Sequence, residues 1–312
     1  MGVRLTGTPE SIFGNAPSPA RQLLRVVRLV RYRFFLYAGL LPYLLGAAWA
    51  YAIERRFDAP VFWCGFLGVV LAVVGVEAFN EYFDARMGTD RVFNPVDLPP
   101  ISAGIFWLGV AAFGGALAVG VYLTMHIGWP ILAFAILGGA AAIFYEAPPI
   151  RWSYRGLGEM VIALAYGPWM VLGSLFLHIG ALSAGAFWAS LVPGLLIMAL
   201  AVVNAIPDFH QDRLVGKRNL VVRLGRARAV WLYLGLAGAA LVVAAAGVIA
   251  GIFPLACLAT LLALPLLIRS ARRAAVSFEQ PRQFTGAIRD IVACYVVAVG
   301  LFTVGVLLRA WS

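Results

Sequence analysis

The sequence predicts an all-α integral membrane protein of nine transmembrane helices, and three observations carry that prediction. Hydrophobic residues make up 62% of the 312-residue chain and charged ones 12%, with a mean hydropathy of +0.91, far outside the range of soluble domains. Apolar windows of about 20 residues, the length needed to cross a hydrocarbon core about 30 Å thick, recur along the whole chain. Strand-like alternation in segments of about ten residues, the mark of an outer-membrane barrel, is absent.

Taken in order, residues 1–32 form a basic arm. Its stretch ARQLLRVVRLVRYR gathers Arg21, Arg25 and Arg28 on one face with Leu24, Val27 and Val30 elsewhere, as in an interfacial helix. A charged region this long, followed by a full span without a small-residue cleavage site, argues against a signal peptide. The remaining 33–312 reads as one nine-helix domain, with spans at about 34–53, 61–83, 103–125, 129–146, 157–179, 184–206, 228–249, 252–268 and 288–309.

Basic residues avoid every second connection. The arm, the loops 84–102, 147–156 and 207–227, and the expected loop 269–287 with Arg269, Arg272, Arg273 and Arg282 share one side. The opposite connections hold only Arg55 and Arg56, balanced by Glu54 and Asp58. This bias predicts a cytoplasmic N-terminus and a C-terminus on the far side of the plasma (inner) membrane. The net charge of +10 is accounted for by this topogenic bias and by attraction to anionic lipid, and no nucleic-acid partner is expected. Cys64, Cys257 and Cys294 lack CxxC or Cys/His spacing, and His126, His178 and His210 are scattered, so neither a zinc site nor a histidine-activated nucleophile is expected.

The second window ends in NEYFDARMGTD and the sixth in NAIPDFHQD. Asn204 and Asp208 follow Asn80 and Asp84 by the same 124 residues, which divides the chain into related four-helix halves at 33–150 and 151–270. Residues i and i+4 share a helix face, so Asn80 with Asp84, and Asn204 with Asp208 and Asp212, each aim a row of oxygens one way. Glu77 and Glu81 extend the first row. Two acidic rows at membrane depth repel unless cations lie between them, and oxygen-only ligation suits Mg²⁺ shared with a phosphate-bearing substrate. Arg86 and Arg91 follow the first row, and Arg213, Lys217 (the chain's only lysine) and Arg218 the second, completing the outline of a diphosphate site.

The segments NEYFDARMGTD, YEAPPIRWSYRGLGEMVIALAYGPWMVLGS and VNAIPDFHQDRLVGKRNLVVRLG resemble the UbiA superfamily of intramembrane prenyltransferases. Asp84-x5-Asp90 with Gly88, and DRLVGKRNLVVRLG from Asp212 to Gly225, look most like the 1,4-dihydroxy-2-naphthoate polyprenyltransferases of menaquinone synthesis. Two features depart from the family pattern. Glu81 stands where the first motif usually has Asp, and RVFNPVDLPPISAG replaces the basic Arg-Pro stretch of the 4-hydroxybenzoate enzymes. Pro207, directly before Asp208, is expected to break the helix and re-aim the second row.

The resemblance implies that two Mg²⁺ ions, held by Asn80, Glu81, Asp84, Asp90, Asn204, Asp208 and Asp212, receive the head of a polyprenyl diphosphate. Asn80, Asp84, Asp208 and Asp212 are the expected catalytic residues. Arg33, Arg86, Arg91, Lys217 and Arg218 would neutralise the anion, and Tyr145, Tyr154 and Tyr166 would offer aromatic faces to an allylic cation. Glu159 is placed either to orient an acceptor hydroxyl or to pair with Arg155. The acceptor is an aromatic ring, with dihydroxynaphthoate ahead of 4-hydroxybenzoate, homogentisate or a lipid, and no obligate protein partner is expected. A cation-coupled transporter and a non-catalytic scaffold are the readings from other classes, though a transporter site usually lies nearer mid-membrane.

Overall fold

The computed structural model describes residues 33–87 and 103–310, apart from the side chains of 33–37, 84, 85 and 87. The basic arm at 1–32, and Asp90 and Arg91 with it, lie outside the described residues. Among the described residues every regular element is helical. In chain order these are α1 (Arg33–Ala52), α2 (Ala59–Met87), α3 (Ala103–Ile127), α4 (Pro130–Glu146), α5 (Gly158–Ile179), α6 (Ala184–Ala205), the short α7 (Phe209–Leu214) and α8 (Leu220–Leu224), α9 (Arg226–Ile249), α10 (Leu255–Ser277) and α11 (Pro281–Leu308). Seven of them, α2, α3, α5, α6, α9, α10 and α11, are long and apolar enough to cross a membrane. Ala38–Ala52 of α1 and Pro130–Glu146 of α4 are apolar but shorter.

The pattern of small and large apolar side chains sets the packing. In α6, 67% of the spanning window is buried within the protein against 17% in α2 and α3, so α6 is the helix the others surround. It packs on α5, α9 and α11, while α2 pairs with α3 and α10 with α11. One core cluster unites α1, α5, α6, α9, α10 and α11 around residues such as Leu45, Leu196, Tyr233 and Phe302. A second, smaller cluster joins α1 to α5 through Tyr43, Phe62, Leu123, Ile131 and Phe176.

Of the prolines inside these helices, Pro42 and Pro168 are accommodated in different ways. Pro42 lacks the N–H that would pair with the Ala38 carbonyl one turn earlier, and the hydroxyl of Tyr295 from α11 donates to that carbonyl instead (2.9 Å). Pro168 lies within a π-helical turn at Ala165–Trp169, which widens α5 where it crosses α6. The crossing is tight: a Cβ on Gly167 would lie 2.8 Å from the Gly194 Cα and 2.9 Å from the Ser190 carbonyl oxygen.

One boundary differs from the sequence expectation. The expected loop 269–287 is helical over most of its length, because α10 continues to Ser277 and α11 starts at Pro281. Arg269, Arg272 and Arg273 therefore stand on α10 and Arg282 in the first turn of α11. The cause is Asp290, buried on α11, whose carboxylate accepts from Arg269 Nε (2.8 Å) and forms an ion pair with Arg273 (3.1 Å), clamping the two helices where hydropathy reads only charge.

Candidate functional site

The end of α2 carries the first acidic row. Glu77, Asn80, Glu81 and Asp84 follow at helical spacing, and the helix continues through Asp84 to Met87, one turn beyond the apolar window. Glu77 Oε1 and Asn80 Oδ1 are both buried and have no hydrogen-bond partner among the described residues. Arg86 leans back over Tyr82 of the same helix, its guanidinium carbon 4.8 Å from the ring centre. The Asp84 side chain lies outside the described residues, as do Asp90 and Arg91; the same holds for the side chain of Arg33, the first residue of α1.

The second row is broken as Pro207 predicts. Asn204 occupies the last turn of α6, which stops at Ala205, and Asp208 is the N-cap residue of α7 without capping it through its side chain. Asp212 is buried on α7. The three are thus divided between two helices instead of sharing one face of one helix. Asp212 Oδ2 accepts from Asn219 Nδ2 (2.7 Å), and its backbone carbonyl accepts from the Lys217 amide (2.8 Å).

Two carboxylates that precede and follow the loop 147–157 fasten the segment after Asp212. Glu146, at the end of α4, accepts from the Lys217 ammonium at 3.0 Å in a pair that is almost wholly buried. Glu159, in the first turn of α5, accepts from the Leu220 amide at 2.9 Å. Its expected alternative partner, Arg155, donates instead to the Pro149 carbonyl, so the pairing with Glu159 is not formed. Arg223 closes the third tie by donating to the carbonyls of Arg155 and Arg218. Gly156 is required beneath it, because its φ is +70° and a Cβ there would overlap the Arg223 guanidinium.

The aromatic residues divide. The Tyr154 ring faces two cations, with the Arg151 guanidinium carbon 5.2 Å and the Lys217 ammonium 5.7 Å from its centre. Tyr145 packs beside Gly158 at the start of α5. Tyr166 lies in the π-helical turn of α5, its ring against Gly39 of α1. Beside the Lys217 pair opens a cavity of about 410 Å³ lined by Arg213, Gly216, Lys217, Arg218, Val222 and Arg223. Four of its six lining residues are cationic, so it is suited to an anion.

The donor set fits a hard divalent cation. Asn80 offers a buried amide oxygen that no hydrogen bond from the described residues satisfies, on the same face as Asp84 one turn on, and the second motif adds only carboxylates and another amide. Among the described residues no three His, Cys, Asp or Glu side chains cluster closely enough to hold a metal by themselves. The sequence reading did not single out Glu146, Asn219 or Arg223. Glu146 could have been found as the one carboxylate in YEAPPIRWSYR; Asn219 carried no signal beyond its cap-forming residue type.

Comparison with known proteins gives a consistent picture. A model of the UbiA prenyltransferase family matches residues 39–288. A Mycobacterium tuberculosis protein named 1,4-dihydroxy-2-naphthoate octaprenyltransferase is 31% identical over 242 residues, which cover 72% of this chain and 76% of that protein. A Bacillus subtilis protein of the same name is 25% identical over 201 residues, covering 62% of this chain and 64% of that protein, a little under two thirds of its length. Among solved structures, a UbiA homolog from Archaeoglobus fulgidus bound to GPP and Mg²⁺ shares the fold, with a TM-score of 0.61, 17% identity and coverage of 92% of this chain and 100% of that one.

Proposed function

The chain belongs to the UbiA prenyltransferase family, and we propose that it transfers a polyprenyl group from an allylic diphosphate to an aromatic acceptor, 1,4-dihydroxy-2-naphthoate in the first place. The observation that carries this reading is that one short segment joins both halves of a diphosphate site. Asp212 offers oxygen to a cation, and Lys217, hydrogen-bonded through its amide to Asp212, lies with Arg213 and Arg218 in the wall of the basic cavity. The naphthoate acceptor is supported by the names of the two bacterial relatives.

Asn80, Glu81 and Asp84 on α2, Asp90 beyond it, and Asn204, Asp208 and Asp212 on the other side would hold Mg²⁺, two ions in this reading. Bound there, Mg²⁺ would supply charge neutralisation of the diphosphate as the allylic C–O bond ionises. Arg86, Arg91, Lys217 and Arg218 carry the remaining neutralisation, with Arg33 at the start of α1. Tyr145, Tyr154 and Tyr166 are the aromatic side chains that would stabilise a developing allylic cation and help exclude water from it. The acceptor ring then attacks the allylic carbon and loses a proton, or its carboxyl group as CO₂, while diphosphate leaves with the bonding pair.

In the membrane, α1 and α4 complete nine spans with the seven longer helices. The positive-inside bias places the N-terminus and the site on the cytoplasmic face of the plasma membrane and the C-terminus opposite. The test supplies purified protein and Mg²⁺ with farnesyl, geranylgeranyl and longer diphosphates, against dihydroxynaphthoate, 4-hydroxybenzoate, homogentisate and a glycerol-phosphate lipid. Prenylated naphthoate is the expected product. Product formed only with another acceptor would remove the naphthoate assignment.

A further inference from the structure

We infer that Asn219 is a positioning residue whose amide sets the orientation of the Asp212 carboxylate toward a divalent cation. The inference rests on the metal reading of the two acidic motifs and is independent of the acceptor.

The Asn219 side chain works at both ends, and chemistry fixes which end is which. The Val222 backbone N–H can only donate, so the amide oxygen that meets it at 2.9 Å is Oδ1. Nδ2 is thereby turned to Asp212 Oδ2, at 2.7 Å, a distance typical of a hydrogen bond assisted by charge. Both residues are buried, with 7% and 5% exposure, so this contact is made away from solvent.

Asn219 is in turn anchored. It is the N-cap of α8, in extended backbone conformation, and the next amide, Leu220 N–H, is held by Glu159 of α5. A line of hydrogen bonds therefore runs from α5 through the start of α8 to one oxygen of Asp212. Holding one oxygen from a rigid element fixes the plane of the carboxylate, and partners of this kind raise metal affinity by restricting the ligand before the ion arrives. Capping alone does not call for asparagine, since Ser, Thr or Asp serve as well. Among these four only Asn offers a cap acceptor and an N–H donor about 2 Å apart on one planar group.

The test separates cap from donor and reads binding, not turnover. Asn219→Ser keeps a cap oxygen, but its single hydroxyl is too short to reach Val222 and Asp212 together. The full chain in detergent is titrated with Mg²⁺ in the presence of inorganic diphosphate, following the shift in melting temperature. The expected result is a Mg²⁺ midpoint raised about tenfold or more, read relative to the variant's own metal-free melting temperature, which the loss of the buried hydrogen bond to Asp212 lowers. A midpoint within twofold of wild type would overturn the inference and leave Asn219 a cap. Should the serine variant fail to fold, Asn219→Gly, which costs a cap only a few tenths of a kcal/mol, is read by the same criterion. A wild-type protein whose melting temperature ignores Mg²⁺ would overturn both this inference and the metal reading. Because no acceptor is present, an error about the acceptor changes none of these outcomes.

Discussion

The hydroxyl of Tyr295 on α11 donates to the carbonyl of Ala38 on α1 at 2.9 Å, across 257 residues, and that carbonyl is the one Pro42 leaves without a helical partner. Ala38 and Tyr295 are both fully buried, so the carbonyl is closed to water. Tyr295→Phe is expected to destabilise the protein by about 1–3 kcal/mol, the cost of an unsatisfied buried acceptor. In a Pro42→Ala background, where residue 42 regains its N–H, the same change should cost distinctly less. Thermal unfolding of the four proteins in detergent gives the coupling; equal costs in both backgrounds would show that Tyr295 acts by packing alone.

Lys217 and Glu146 form the buried ion pair that holds the segment after Asp212 to the end of α4. Lys217→Met deprives Glu146 of its ammonium partner in a low-dielectric site and should cost about 3–5 kcal/mol. The double variant Glu146→Gln with Lys217→Met should lose much less than the sum of the single variants, because no charge then remains to be compensated. Additive losses in the melting curves would contradict the pairing.

The glycines of the spanning helices are not equivalent. Gly167→Ala drives a methyl group against the backbone of Gly194 and should cost about 1–3 kcal/mol. Gly138→Ala on α4 meets nothing within 4 Å and should stay within about 0.5 kcal/mol of wild type. Comparable losses for the two would mean that α5 and α6 do not cross at Gly167.

Sequence made much of this architecture legible, for physical reasons that can be named. The helical fold was readable because lipid demands long apolar runs, and the end of α2 because Asn80 and Asp84 keep helical spacing where apolar residues stop. Pro207 announced the division of the second motif, since a proline ring cannot continue the ladder that α6 brings to it. The boundary between α10 and α11 was not legible: Arg269 and Arg273 read as loop charge until Asp290, 21 and 17 residues further on, is seen to pair with both within the helix pair. Glu146 with Lys217, 71 residues apart, and Glu159 with Leu220 are contacts that only the tertiary arrangement creates. Asn219 was invisible because its two hydrogen bonds come from one ordinary side chain.

The most direct test of the account measures the initial rate of prenyl transfer from a polyprenyl diphosphate to dihydroxynaphthoate as Mg²⁺ is titrated, in the wild type and in Asp84→Ala and Asp212→Ala. The account predicts a rate that depends on Mg²⁺, vanishes with a chelator, and falls by on the order of a hundredfold or more in each variant. Transfer that persists without divalent cation, or that both alanine variants sustain at the wild-type rate, would contradict it.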